Sequence, residues 1–244
     1  MTGERSTVPG SVPARRERPV VDRGPLDPAR GPGTPVDRID DDDEGVFALV
    51  EQLRRIRALT TGGVFDTDLG PLTERLRGVA DELEAASAGV ERRQARTWAR
   101  SDYVANCPVM GRANAVAPHV EFELLPDGTF RGETTLGLEY QGPPGCVHGG
   151  IVALVFDVVL GRANFHAGAS GMTVCLDVDY HSPTPVLEPL VITGRQVHVE
   201  GRKIWSQGAI HTGGRLCATA EGFFVEPGEL LTDNRRRLAG GGAE

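Results

Sequence analysis

Lysine is almost missing from this chain: Lys203 is the only one, and every other basic side chain is arginine. Against that bias a lone arginine carries little functional weight. Positive charge is in deficit as well, with a formal net charge of −8, which argues against a nucleic-acid-binding surface. Cysteine is sparse and scattered: Cys107, Cys146, Cys175 and Cys217 form no C-x-x-C pair. Together with the lack of a signal-peptide pattern at the start, this points to reduced thiols and a cytoplasmic setting. The six histidines include no H-x-x-x-H spacing and no Cys/His cluster, so no zinc site is read. No apolar stretch reads as a membrane span. A G-x-S-x-G elbow is also missing, and Ser170 sits in a small-residue turn, so serine-hydrolase chemistry has no support.

What is present divides the chain into four parts. Residues 1–44 are rich in Pro, Gly, Arg and Asp, close on the acidic run Asp40-Asp41-Asp42-Asp43-Glu44, and carry too little apolar surface to bury a core; a disordered arm is expected. An arginine-rich targeting peptide is the alternative, opposed by the acids Glu4, Glu17, Asp22 and Asp27. Residues 45–99 read as a helical extension. Val46, Val50, Leu53 and Ile56 share one helical face, and Leu72, Leu76, Val79 and Leu83 stripe a second helix, both expected to lie on the main domain. Residues 100–226 form that domain, and residues 227–244 form a polar, flexible tail.

Within the domain the period changes to that of strands. Segments 119–125 and 130–140 flank the hairpin signal Pro126-Asp127-Gly128. After a long apolar helix come alternating runs through Val174, Leu176, Val178 and Tyr180, then Val191 to Val199, then 203–211 and 215–226, separated by glycine turns. Two strands, one helix and four strands predict an α+β fold in which a curved antiparallel sheet wraps a single buried helix.

The most informative segment is 141–157. Gly142-Pro143-Pro144-Gly145 is a turn signal, His148-Gly149-Gly150 follows, and the apolar run 151–160 is broken only by Asp157. Burying an unpaired carboxylate costs several kcal/mol. A chain accepts that cost for an excellent partner, such as a structural arginine, or for chemistry. Gly149 and Gly150 at a helix start present unpaired N–H groups, a site suited to developing negative charge. An anion site combined with an acid outlines an enzyme of acyl transfer or hydrolysis. Cys146 in the turn reads as a small packing residue, with a nucleophilic role as the alternative.

These residues resemble the hotdog-fold acyl-CoA thioesterases, in particular the branch holding thioesterase superfamily members four and five and the bacterial phenylacetate-pathway enzymes. The resemblance rests on Gln141-Gly142-Pro143-Pro144-Gly145, on Val147-His148-Gly149-Gly150, on Asp157 nine residues after the histidine, and on Met172-Thr173 opening the next strand. Segment 107–118 is similar to the loop leading into that domain, with Ala115 and His119 standing where prolines are usual. Some relatives place an asparagine, six residues before the histidine, against the substrate carbonyl; here that position is Gly142, and Gln141 is the candidate substitute.

The resemblance implies an acyl-CoA substrate, hydrolysed to free acid and coenzyme A without a cofactor. A thiolate leaves without a strong general acid, because its parent thiol has a pKa near ~8.5. What the reaction needs is an oxyanion hole and a nucleophile. Gly149 and Gly150 supply the first, and Asp157 the second as general base or direct nucleophile. Thr173 matches the family position that hydrogen-bonds the carboxylate or water, and a strand threonine is its plain reading. His148 reads either as a capping residue or as a catalytic hydrogen-bond partner. Arg202 and Lys203, in a glycine turn, are either a solvated tip or contacts for coenzyme A phosphates.

Gly150 and Asp157 are seven residues apart, about 10 Å along a helix axis. They cannot touch one reacting carbon, so a homodimer, or a dimer of dimers, with active sites shared between subunits is expected. A non-catalytic acyl-CoA-binding hotdog protein, acting as sensor or scaffold, is the alternative function. A hydratase of this fold would carry its acid before the histidine.

Overall fold

The computed structural model describes residues 34–35, 44–89, 104–118 and 120–226. In chain order the elements are strand β1 (Thr34–Pro35), helices α1 (Glu44–Thr60) and α2 (Gly70–Ala86), strands β2 (Glu121–Leu124) and β3 (Phe130–Thr135), a 3-10 turn (Leu138–Tyr140), helix α3 (Gly149–His166), and strands β4 (Met172–Tyr180), β5 (Pro189–Glu200), β6 (Lys203–Thr212) and β7 (Arg215–Val225). Of the arm expected to be disordered over 1–44, Thr34–Pro35 pair with Leu124 and Glu123 of β2, and Glu44 opens α1; its other residues lie outside the described set, as do His119 and the tail 227–244.

All pairings are antiparallel, in the order β1-β2-β3-β5-β6-β7-β4, so β4 forms one edge of the sheet. This matches the expected α+β arrangement, with α3 against the sheet's concave face and in contact with β3 through β7. The β2–β3 hairpin turns where the Pro-Asp-Gly signal stands: Gly128 takes φ 81°, and Asp127 Oδ1 accepts the N–H of Thr129 at 2.9 Å.

One packing device explains how a bulky helix fits so close to a sheet. Gly194, Gly208 and Ala220 sit opposite one another across β5, β6 and β7. A Cβ on Gly194 would lie 2.6 Å from Val159 Cγ1, and one on Gly208 would lie 3.0 Å from Phe156 Cδ1. Backbone without side chains therefore makes room for Phe156, Val159 and Leu160, each fully buried. By length and composition alone α3 is apolar enough to cross a membrane, but its apolar face forms the core of the domain, and it is not read as a span.

Three expectations are corrected. The strand expected over 130–140 ends at Thr135, because the chain must leave the sheet through the 3-10 turn to reach the start of α3. Helix α1 docks through a face rotated from the expected one: Val50 is buried and Ile56 half-buried as expected, but Phe47 is buried beside them, while Val46 and Leu53 are 40% and 39% exposed. That face continues into Arg54 and Arg57, and Arg54 donates to the carbonyls of Gly111 at 2.6 Å and Asn114 at 2.9 Å. Helix α2 has no buried residue, so the expectation that it lies on its own domain fails in the described chain.

Candidate active site

The start of α3 is built by the turn before it. Gly145 takes φ 75°, and its N–H is accepted by Gln141 Oε1 at 3.0 Å. Gly142 donates its N–H to the Cys146 carbonyl at 2.9 Å. A Cβ on Gly142 would lie 2.8 Å from His148 Cα, so the backbone here has no space for the asparagine some relatives carry. His148 is extended, at φ −60° and ψ 132°, and serves as N-cap of α3. Its N–H donates to the Tyr140 carbonyl at 2.9 Å. Tyr140 is in turn held by Arg57, whose Nη2 donates to Tyr140 Oη at 2.6 Å. Burial raises the Tyr140 pKa, and the neighbouring guanidinium opposes that rise.

The His148 ring does the capping. Its Nδ1 accepts the Gly150 N–H at 3.0 Å, so the neutral ring carries its proton on Nε2. This corrects the expectation that Gly149 and Gly150 both present free donors. Gly150 is satisfied inside the turn, while the N–H of Gly149 has no partner among the described residues. Tyr180 Oη donates to the Gly149 carbonyl at 2.8 Å, which ties the first turn of α3 to the edge strand β4. Nothing in the alternation of β4 singled out Tyr180; its role depends on where α3 begins in space.

Two turns along, Thr173 Oγ1 donates to Asp157 Oδ1 at 2.6 Å, so the helix acid and the strand threonine are brought together. The β4–β7 register shifts between Thr173 and Cys175, a local irregularity of the kind that re-aims a side chain. Asp157 is half-buried, where full burial was expected. The reason is that α3 meets the sheet on one side only. Ile151, Leu154, Asp157 and Val158 lie on the opposite, half-exposed side. Cys107, in the loop packed beside it, has its thiol pKa raised, first by burial and in part by the Asp157 charge.

The other candidates are placed as follows. Arg202 donates from Nε and Nη2 to the Glu226 carbonyl, at 3.0 and 2.6 Å, and so ties down the end of β7. Lys203 is exposed. Both lie at the sheet end that carries Thr173, since Lys203 pairs with Val225 and Val225 with Met172. The oxygen of Gln141 is used within the turn. All four cysteines are free. Phe156 is buried beneath the helix, away from Asp157, whereas Phe165 is 42% exposed under Arg162. On β4, Asp177 is half-buried and Asp179 exposed.

The chain is similar to known proteins over the domain that carries this geometry. The family profile described as "Thioesterase superfamily" matches residues 144–219. A crystal structure described as a thioesterase superfamily protein superposes with a TM-score of 0.69 at 38% identity, over 79% of this chain and 100% of that one. The acyl-coenzyme A thioesterase THEM4 of Rattus norvegicus is 41% identical over 100 residues, 39% of this chain and 43% of the rat protein. THEM4 of Xenopus laevis is 32% identical over 88 residues, 35% of this chain and 40% of the frog protein. The matched region thus spans less than half the length of these curated relatives.

Proposed function

This chain belongs to the thioesterase superfamily, and on that premise we propose that it hydrolyses acyl-CoA to the free acid and coenzyme A. The observation that carries the reading is the 2.6 Å hydrogen bond from Thr173 to Asp157. One carboxylate oxygen is held by the hydroxyl, and Asp157 itself lies on the half-exposed side of α3. A carboxylate in that setting serves as general base on a water or as nucleophile on the thioester carbon.

The oxyanion donor is the Gly149 N–H. Helix dipole and unpaired donor coincide there, and the carbonyl oxygen gains negative charge as the nucleophile adds. His148 acts by capping: it holds the first turn rigid and consumes the Gly150 N–H, leaving Gly149 to face the substrate. Collapse of the adduct expels the thiolate of coenzyme A, which needs no strong acid.

Gly149 and Asp157 stand about 12 Å apart along one helix, too far to serve the same carbon. The working unit is therefore a homodimer joined along the β4 edges, in which the acid of one subunit serves a carbonyl held by the helix start of the other. Substrate lies between the two helices, against the half-exposed apolar side of α3. Lys203, at the same end of the sheet, is the coenzyme A phosphate contact; Arg202 contributes its charge while anchored to Glu226.

Thiol release measured across short, medium, long and aromatic acyl-CoAs tests the proposal. Saturable turnover of at least one class is expected. Tight binding of acyl-CoA with no release of thiol would replace hydrolysis with a binding role.

A further inference from the structure

Helix α2 presents an apolar stripe that the described residues leave uncovered. Leu72, Leu76, Val79 and Leu83 are 46%, 45%, 45% and 42% exposed, with Leu69 just before them at 37%. Positions 69, 72, 76, 79, 83 and 86 alternate in steps of three and four, which is the narrow seam of a two-helix coiled coil rather than the wider stripe of a helix lying on a domain. Glu74 and Asp81 stand furthest from the seam with Arg77 and Glu84 beside them, and all four are charged and exposed. Most helical stability in proteins comes from packing of an amphipathic face, and α2, with no buried residue and Gly78 in its interior, would gain that packing from a partner helix.

The flanking charges identify that partner. On one side of the seam stand Arg75 and Glu82; on the other stand Thr73 and Ala80. In an antiparallel pair of identical helices the first side meets itself in reverse order. Arg75 then faces Glu82 of the second copy, and two-fold symmetry repeats the ion pair. The apolar layers match in the same register: Leu72 opposite Leu83, Leu76 opposite Val79, Leu69 opposite Ala86. In a parallel pair Arg75 would face Ala80 and Glu82 would face Ser87, with no ionic match. We propose that α2 is a self-association surface that pairs antiparallel with α2 of a second copy of this chain. The proposal is independent of the catalytic reading and of any contact along β4.

Cysteine cross-linking of the full-length chain tests it. Leu72→Cys and Leu83→Cys chains are oxidised separately and after co-expression, with the unsubstituted chain as blank. The expected result is a disulfide-linked dimer, carrying one chain of each kind, only in the mixture. Cross-linking of Leu83→Cys with itself would mean a parallel pair, and no cross-link in the mixture would mean the face is covered otherwise; either overturns the proposal. A second measurement uses charge. Glu82→Arg in both chains should slow the cross-link about tenfold, and adding Arg75→Glu should restore it. Insensitivity to the first change, or failure of the second to restore, also overturns it. All these positions are exposed in the protomer, so folding, followed by circular dichroism, should be unaffected.

Discussion

The first and third turns of α3 are handled in opposite ways by the rest of the chain. At the start, the His148 ring, the Tyr140 carbonyl and the Tyr180 hydroxyl each take up one backbone group, and a glycine-proline turn fixes the approach. At Asp157 a single hydroxyl arrives, from Thr173, and the surroundings are half open. The contrast suits the two different tasks proposed for these turns. An oxyanion donor works by being immobile before charge develops. A base or nucleophile must keep one side accessible to the group it attacks or deprotonates.

Removing the acid is the severest way to break this division. Asp157→Asn, nearly the same shape, should fold normally and lose at least ~10²-fold in kcat on the best acyl-CoA. Near-normal turnover would move the chemistry to another group. The same variant tests sharing between subunits when co-expressed with Gly149→Pro. Mixed dimers then hold one doubly defective and one intact site, and up to half the wild-type activity per mixed dimer should return. No recovery in verified mixed dimers would place the whole site within one chain.

The helix start is sharpened by a matched pair of substitutions. Gly149→Pro deletes the N–H at the first helical position, where proline is well tolerated, and the extended His148 suits a following proline. Gly149→Ala keeps the N–H and adds the same Cβ, 3.2 Å from Tyr180 Oη. The proline variant should lose about 10²-fold in kcat, and the alanine variant far less. Equal losses would assign the effect to crowding against Tyr180.

Thr173→Ala removes the hydrogen bond to Asp157 and leaves the proposed base or nucleophile in place, so a fall of roughly tenfold in kcat with KM little changed is expected. His148→Ala should act on stability before activity. Loss of an N-cap costs about 1 kcal/mol, read as a lower Tm, and His148→Asn, a good capping residue, should recover most of it. A large loss of turnover at unchanged Tm, unrescued by asparagine, would instead give the ring a direct part in the reaction.

Much of this site is legible in the order of residues because it is local. The Pro-Gly turn, the helix start at His148-Gly149-Gly150 and an acid interrupting an apolar run all lie within 141–157, and each follows from short-range sterics or desolvation. The order of six strands and one core helix follows from a hydrophobic period that changes from 3.6 to 2. Periodicity misleads where polar side chains do the docking. The face through which α1 packs, Phe47, Val50, Arg54 and Arg57, is half arginine, and its guanidinium donors find carbonyls and Tyr140 more than fifty residues away. An apolar-stripe reading selects Val46 and Leu53, which the fold leaves exposed.

The residue pattern along the chain thus specifies the helix, the turn that precedes it and the acid it carries, since these depend on neighbours a few positions away. Tertiary structure decides the rest: that Thr173 rather than an arginine meets Asp157, that Gly150 is spent on a histidine cap while Gly149 is not, and that glycines on neighbouring strands let α3 settle against the sheet. Each of these is a contact between distant segments. Its existence turns on register shifts and helix placements of an ångström or two, which only the assembled core sets.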